Sequence, residues 1–149
     1  MKIEEEIKGR FRNDYHKGII NLTYTTNLLN HEFLQSLRKH DVTVQQYNIL
    51  RVLRGFKPKG PFSIGFLKEH MLDRYSDVSR IVDKLYMRGL VARKENSMDR
   101  RQKDIEITDK GLKLLSEMDE IEKKVDTLLN HLNNEEVIEL NRILDKIRG

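Results

Sequence analysis

Between Leu90 and Thr108 apolar residues alternate with polar ones, whereas on either side of that stretch they recur every three or four residues. Period two marks a half-buried strand, and a period near 3.6 marks a helix with one buried face. A chain of 149 residues with one such change of period is limited to a mainly α fold carrying a single small β-hairpin. The length also suits one domain, so residues 1–149 are expected to share one core.

Helix signals divide the rest of the chain. Tyr15, Ile19, Leu22, Thr26, Leu29, Phe33 and Leu37 predict a long helix from about Asn13 to Lys39. Thr43 with Gln46 opens a second helix, with Val44, Tyr47, Leu50 and Leu53 inward and an end near Gly55. Both prolines fall in the following connection, Gly55 to Pro61. Ser63 is expected to cap a short helix to about Met71, and Ser76 a further one with Val78, Ile81, Val82 and Leu85 inward and Gly89 at its end. The strands Leu90–Lys94 and Lys103–Thr108 then flank a polar, basic tip. Thr108 caps a helix in which Leu114, Met118, Ile121, Val125, Leu128 and Leu132 repeat in steps of four and three. Asn133 and Glu136 open the last helix, striped by Val137, Leu140, Leu144 and Ile147.

Charge is unevenly placed. Residues 51–103 hold 14 Lys and Arg against 6 Asp and Glu, and residues 104–149 hold 7 against 12. A basic centre beside an acidic end attracts a polyanion at one place and keeps the other off it, so nucleic acid is the first partner to suspect; an unevenly charged solvated surface is the alternative. No stretch is long and apolar enough to span a bilayer, and Met1 to Lys8 read as neither a secretory nor a transit sequence, which predicts a cytoplasmic protein without a membrane partner. The absence of cysteine removes disulfides, thiolate metal sites and thiol switches. His16, His31, His40, His70 and His131 lack ligand spacing, and no catalytic or phosphate-loop motif appears, so neither an enzyme nor a cofactor is expected.

The segment from Ser76 to Lys103 carries the candidate chemistry. With Val78, Ile81, Val82 and Leu85 on the core, the opposite face presents Ser76, Ser79, Arg80, Asp83, Lys84 and Met87. An Arg on such a face can bond guanine through two parallel hydrogen bonds in a major groove. Asp83 can accept from cytosine or hold Arg80 across one turn. A solvated helix face with ordinary charge pairs has much the same composition. The hairpin weighs against that plainer reading, because Arg100, Arg101 and Lys103 follow directly and an Arg at such a tip can enter an adjacent minor groove. Asp99 is expected to be structural, accepting hydrogen bonds within the turn and orienting Arg101.

These residues resemble the MarR-type winged-helix transcriptional regulators, and the resemblance spans nearly the whole chain. It is most specific along Asp77-Val78-Ser79-Arg80-Ile81-Val82-Asp83-Lys84-Leu85, Gly89-Leu90-Val91, Asp99-Arg100-Arg101 and Ile105-Glu106-Ile107-Thr108-Asp109-Lys110-Gly111. It implies a winged helix-turn-helix with a DNA-binding lobe at residues 43–108, an N-terminal dimerisation helix at 13–40 and C-terminal dimerisation helices at 109–149. It implies a homodimer on a pseudo-palindromic operator in double-stranded DNA, with Arg101 as the minor-groove Arg of the Asp-x-Arg pair. A homodimer also suits the apolar seams of the terminal helices, where Ile19, Leu22, Leu114, Met118, Ile121, Val125, Leu128, Leu140, Leu144 and Ile147 are the expected interface. Members of the family often respond to small aromatic or anionic effectors, and Tyr15, Tyr24, Phe33 and Tyr47 are candidate pocket residues. The contrasting possibility is a helical interaction scaffold whose basic hairpin docks an acidic partner.

Overall fold

In the computed structural model, which describes residues 1–149, eight helices and one hairpin follow in the order α1 (Ile3–Ile7), α2 (Asp14–Arg38), α3 (Val44–Gly55), α4 (Ile64–Glu69), α5 (Val78–Met87), β1 (Val91–Glu95), β2 (Lys103–Ile107), α6 (Asp109–Glu117), α7 (Asp119–Thr127) and α8 (Asn134–Arg148). Helix starts obey local hydrogen-bond chemistry. The Thr43 hydroxyl accepts from Gln46 N–H at 3.1 Å while the Gln46 amide oxygen accepts from Thr43 N–H at 3.2 Å. Ser63, Thr108 and Asn133 accept from the N–H groups of Phe66, Gly111 and Glu136 in the same manner. At the far end of α5, Gly89 at φ 71° turns the chain, and Leu90 N–H reaches Leu85 O at 3.0 Å, which closes the last turn.

The core of 19 residues lies among α3, α4, α5, α6 and the hairpin, with Tyr47, Leu50, Leu67, Val82, Leu85 and Ile105 near its centre. Val91 pairs with Ile107 and Arg93 with Ile105 in the antiparallel hairpin. Phe62 adds a one-residue third strand, exchanging hydrogen bonds of 2.9 and 2.6 Å with Ile105. The Gly55–Pro61 connection is anchored there by aromatic contact: Phe62 stacks on Phe66 at 4.3 Å, and Phe56 meets both rings edge-on.

Three features depart from the sequence-based expectations. Asp77, not Ser76, caps α5, its carboxylate accepting from Arg80 N–H at 3.2 Å. The helix expected after Thr108 is broken at Met118 (φ −99°, ψ 2°) into α6 and α7. Leu115, Met118 and Ile121 are all buried, and three residues spaced by three drift around a straight α-helix, so a tighter turn at Met118 keeps them on one surface. Met118 and Ile121, at 1% and 6% exposure, are thus core residues of a single chain and are not available to an interface between chains. Third, the short α1 folds back along α2: Ile3 is buried, the Tyr24 hydroxyl donates to Glu6 at 2.9 Å, and Glu4 pairs with Lys17. That pairing holds the Glu4 carboxyl below, and the Lys17 ammonium above, its ordinary pKa.

The terminal helices bury little. The 25 residues of α2 bury only Leu37, and the 15 of α8 bury none. Ile19 and Ile147 are 61% and 62% exposed, and Leu22, Ile138 and Ile143 are also exposed. No helix is long and apolar enough to cross a membrane.

Candidate nucleic-acid interface

The face of α5 away from the core follows from its helical spacing. Val78, Val82 and Leu85 are buried, and Ser79, Arg80, Asp83, Lys84 and Met87 are exposed over an arc of about 140°, centred opposite the core residues. The guanidinium of Arg80 and the ammonium of Lys84 enter no ion pair and point outward from this arc. Ser76 differs from its expected placement. Its Oγ is buried without a hydrogen-bond partner just ahead of the helix, so this hydroxyl is not offered to a groove.

The hairpin tip is held by a side-chain lattice. Asn96 Oδ1 accepts from the N–H groups of Met98 (2.8 Å) and Asp99 (3.1 Å), while its Nδ2 donates to Asp104 at 3.0 Å. Asp99 Oδ1 accepts from Arg101 N–H at 2.9 Å, and Gln102 N–H donates to Asp99 O at 3.0 Å. Asn96 and Asp99 together convert the seven-residue loop between the strands into a defined turn, with Arg100 and Arg101 exposed and free of ion pairs. Lys103 lies opposite Glu95 in the ladder, 3.4 Å from its carboxylate.

Helix and hairpin meet in one cleft of about 500 Å³. Ser79, Val82 and Asp83 line it from α5, and Arg93, Arg101 and Lys103 from the hairpin. Asp83 is paired not with Arg80 but with Arg93, whose guanidinium also sits over the Tyr86 ring, 4.4 Å from its centroid. This contact links the outer face of α5 to β1. Sequence reasoning missed Arg93 and Asn96, although Arg93 follows Val91 by two and therefore lies on the core-facing side of β1, toward α5.

A second cavity of about 610 Å³ opens between α2, α3 and α7. Phe33 and Tyr47 line it and meet edge-on at 5.5 Å. Burial raises the Tyr47 phenol pKa, keeping the hydroxyl neutral. Tyr15 and Tyr24 do not belong to it. They precede Phe33 by 18 and 9 positions on α2, roughly 27 and 13 Å along the axis, and Tyr15 is 88% exposed while Tyr24 is bonded to Glu6.

Residues 40–102 match the MarR family model. The HTH-type transcriptional repressor MdtR of Bacillus subtilis is 36% identical over 80 residues, which cover 54% of this chain and half the length of that relative. The S. aureus MepR–DNA complex superimposes with a TM-score of 0.73 at 25% identity over 84% of this chain and 94% of that one. NadR in complex with 4-hydroxyphenylacetate gives 0.65 at 26% identity over 86% and 89%.

Proposed function

We propose that the chain is a MarR-type winged-helix regulator, a reading supported by the family match over residues 40–102, and that it controls transcription as a homodimer bound to a pseudo-palindromic operator in double-stranded DNA. Residues 43–108 act as the DNA-binding lobe, and helices within 13–40 and 109–149 hold the two chains together. The observation that carries this reading is the shared cleft, in which α5 and a basic hairpin flank one concave surface. In the dimer, two α5 helices enter successive major grooves about 34 Å apart, and each hairpin reaches the neighbouring minor groove. The exposed apolar residues of α2 and α8 supply the surface that a second copy covers. A small aromatic effector bound in the α2–α3–α7 cavity, whose walls belong to both the lobe and the dimerisation helices, modulates the complex.

Selection of bound sites from a random DNA pool tests the function directly. A two-fold symmetric consensus with half-sites one helical turn apart supports it; recovery of no consensus, with equal retention of unrelated duplexes, opposes it. Two substitutions refine the test. Arg80→Ala is expected to weaken operator binding by about 1 to 3 kcal/mol and to relax one base position per half-site, and an unchanged selected consensus would reduce Arg80 to a phosphate contact. Arg101→Ala is expected to lower affinity mainly for operators with A·T flanks, whose narrow minor groove concentrates negative potential; equal losses on G·C-flanked operators would exclude groove insertion.

A further inference from the structure

The α2–α3–α7 cavity has an apolar side formed by Leu29, Phe33, Val44 and Tyr47 and a charged side carrying Arg51, Glu122 and Asp126. The charges are not equally available. Arg51 Nε lies 2.9 Å from a Glu122 oxygen that also takes Arg54 Nη2 at 3.1 Å, and Arg54 Nη1 reaches Asp119 at 3.0 Å. Arg51 is thereby compensated within the protein. Asp126 takes part in none of the ion pairs of the chain, so the uncompensated charge on the cavity wall is negative.

Asn48 gives an independent indication of a polar occupant. Its side chain lines the same cavity and its carboxamide enters no hydrogen bond within the chain, yet it is not sealed off, so it is reachable from the cavity. An amide that opens on the cavity with no partner in the chain can bond an occupant in exchange for water. Beside it, the half-buried Phe33 ring presents π surface, which favours a cation over an anion, while Tyr47 is 2% exposed, meets Phe33 edge-on and already carries Arg51 at 5.6 Å.

We propose that this cavity binds an aromatic compound bearing an ammonium group, with the ring against Phe33 and Tyr47, the cation beside Asp126 and a polar substituent on Asn48, and that it disfavours carboxylates of the same size. The proposal rests on the effector reading of the cavity and narrows it to one charge class. A carboxylate would have to approach Asp126 and Glu122 and compete with Glu122 for Arg51, whereas an ammonium meets an unpaired carboxylate.

Calorimetric titration of the full chain with three probes of nearly equal shape tests this: 4-hydroxyphenethylamine, 4-hydroxyphenylacetate and neutral 4-ethylphenol. The amine is expected to bind at least about tenfold more tightly than the carboxylate, with the neutral phenol between them. Asp126→Asn, an exposed and nearly isosteric change, is expected to shrink that ratio to about twofold while leaving the phenol affinity unchanged. Equal or tighter binding of the carboxylate, or an amine preference that survives Asp126→Asn, overturns the charge assignment but leaves the cavity as an effector site. Binding of none of the three overturns both the assignment and the effector reading.

Discussion

Gly111→Ala is expected to destabilise the protein by about 3 kcal/mol, the overpacking cost of forcing one methyl group into a filled joint. A Cβ at this position would lie 2.3 Å from the Leu90 carbonyl oxygen and 2.7 Å from Ile107 Cγ1. In an open helix the same change would be favourable by about 1 kcal/mol, since alanine is the better helix former. Here the clash wins, because the obstacle is backbone. Leu90 O already accepts from Thr108 N–H at 3.1 Å, and the Thr108 hydroxyl donates to Gly89 O at 2.6 Å while accepting from Gly111 N–H at 3.1 Å. Moving α6 outward to admit the methyl group would stretch all of these bonds and loosen the base of the hairpin. Urea unfolding at fixed protein concentration measures the loss, with Gly55→Ala as control, since a Cβ there meets nothing within 4 Å. Equal midpoints for the two variants would show that the joint between α6 and the hairpin is not closely packed.

The second large effect concerns assembly. Leu144→Glu combined with Ile147→Glu is expected to give a folded monomer that binds the operator at least about 100-fold more weakly, because each chain then engages its half-site without a tethered partner. No residue of α8 is buried in the single chain, so the core among α3, α4, α5 and α6 has no direct need of these side chains. In a dimer the same substitutions place two carboxylates per chain against apolar surface, where they cannot be solvated. Sedimentation velocity reads the mass and a gel shift reads the affinity. A variant that sediments as the parent does would place the contact between chains elsewhere.

Much of the fold was legible because its determinants are local. Thr43, Ser63, Thr108 and Asn133 each satisfy a backbone donor within three residues, so short motifs announced their helices, and Gly89 announced the end of α5. The misplaced features depend on contacts distant in sequence. Ser76 and Asp77 are equally good caps by composition, and packing ahead of α5 decided for Asp77 while burying the Ser76 hydroxyl. Met118 and Ile121 continue an apolar seam that looked like an interface between chains, yet the turn at Met118 directs both into the core beneath α3 and α6. Tyr15 and Tyr24 share the helix of Phe33 but not its neighbourhood, a distinction that requires knowing which end of α2 meets the lobe. The face proposed to bind DNA was visible as a run of basic and hydroxyl side chains. Its alignment with the hairpin through Asp83, Arg93 and Tyr86 was not, since that contact joins helix to strand across a turn.

Methylation interference on the selected operator follows both contacts in one experiment, because dimethyl sulfate marks guanine N7 in the major groove and adenine N3 in the minor groove. Each half-site is expected to show N7 interference flanked on its outer side by N3 interference, with Arg80→Ala erasing only the former signal and Arg101→Ala only the latter. Interference confined to one groove in the parent protein, or an N3 pattern indifferent to Arg101, would contradict a helix and hairpin that straddle one strand of the duplex.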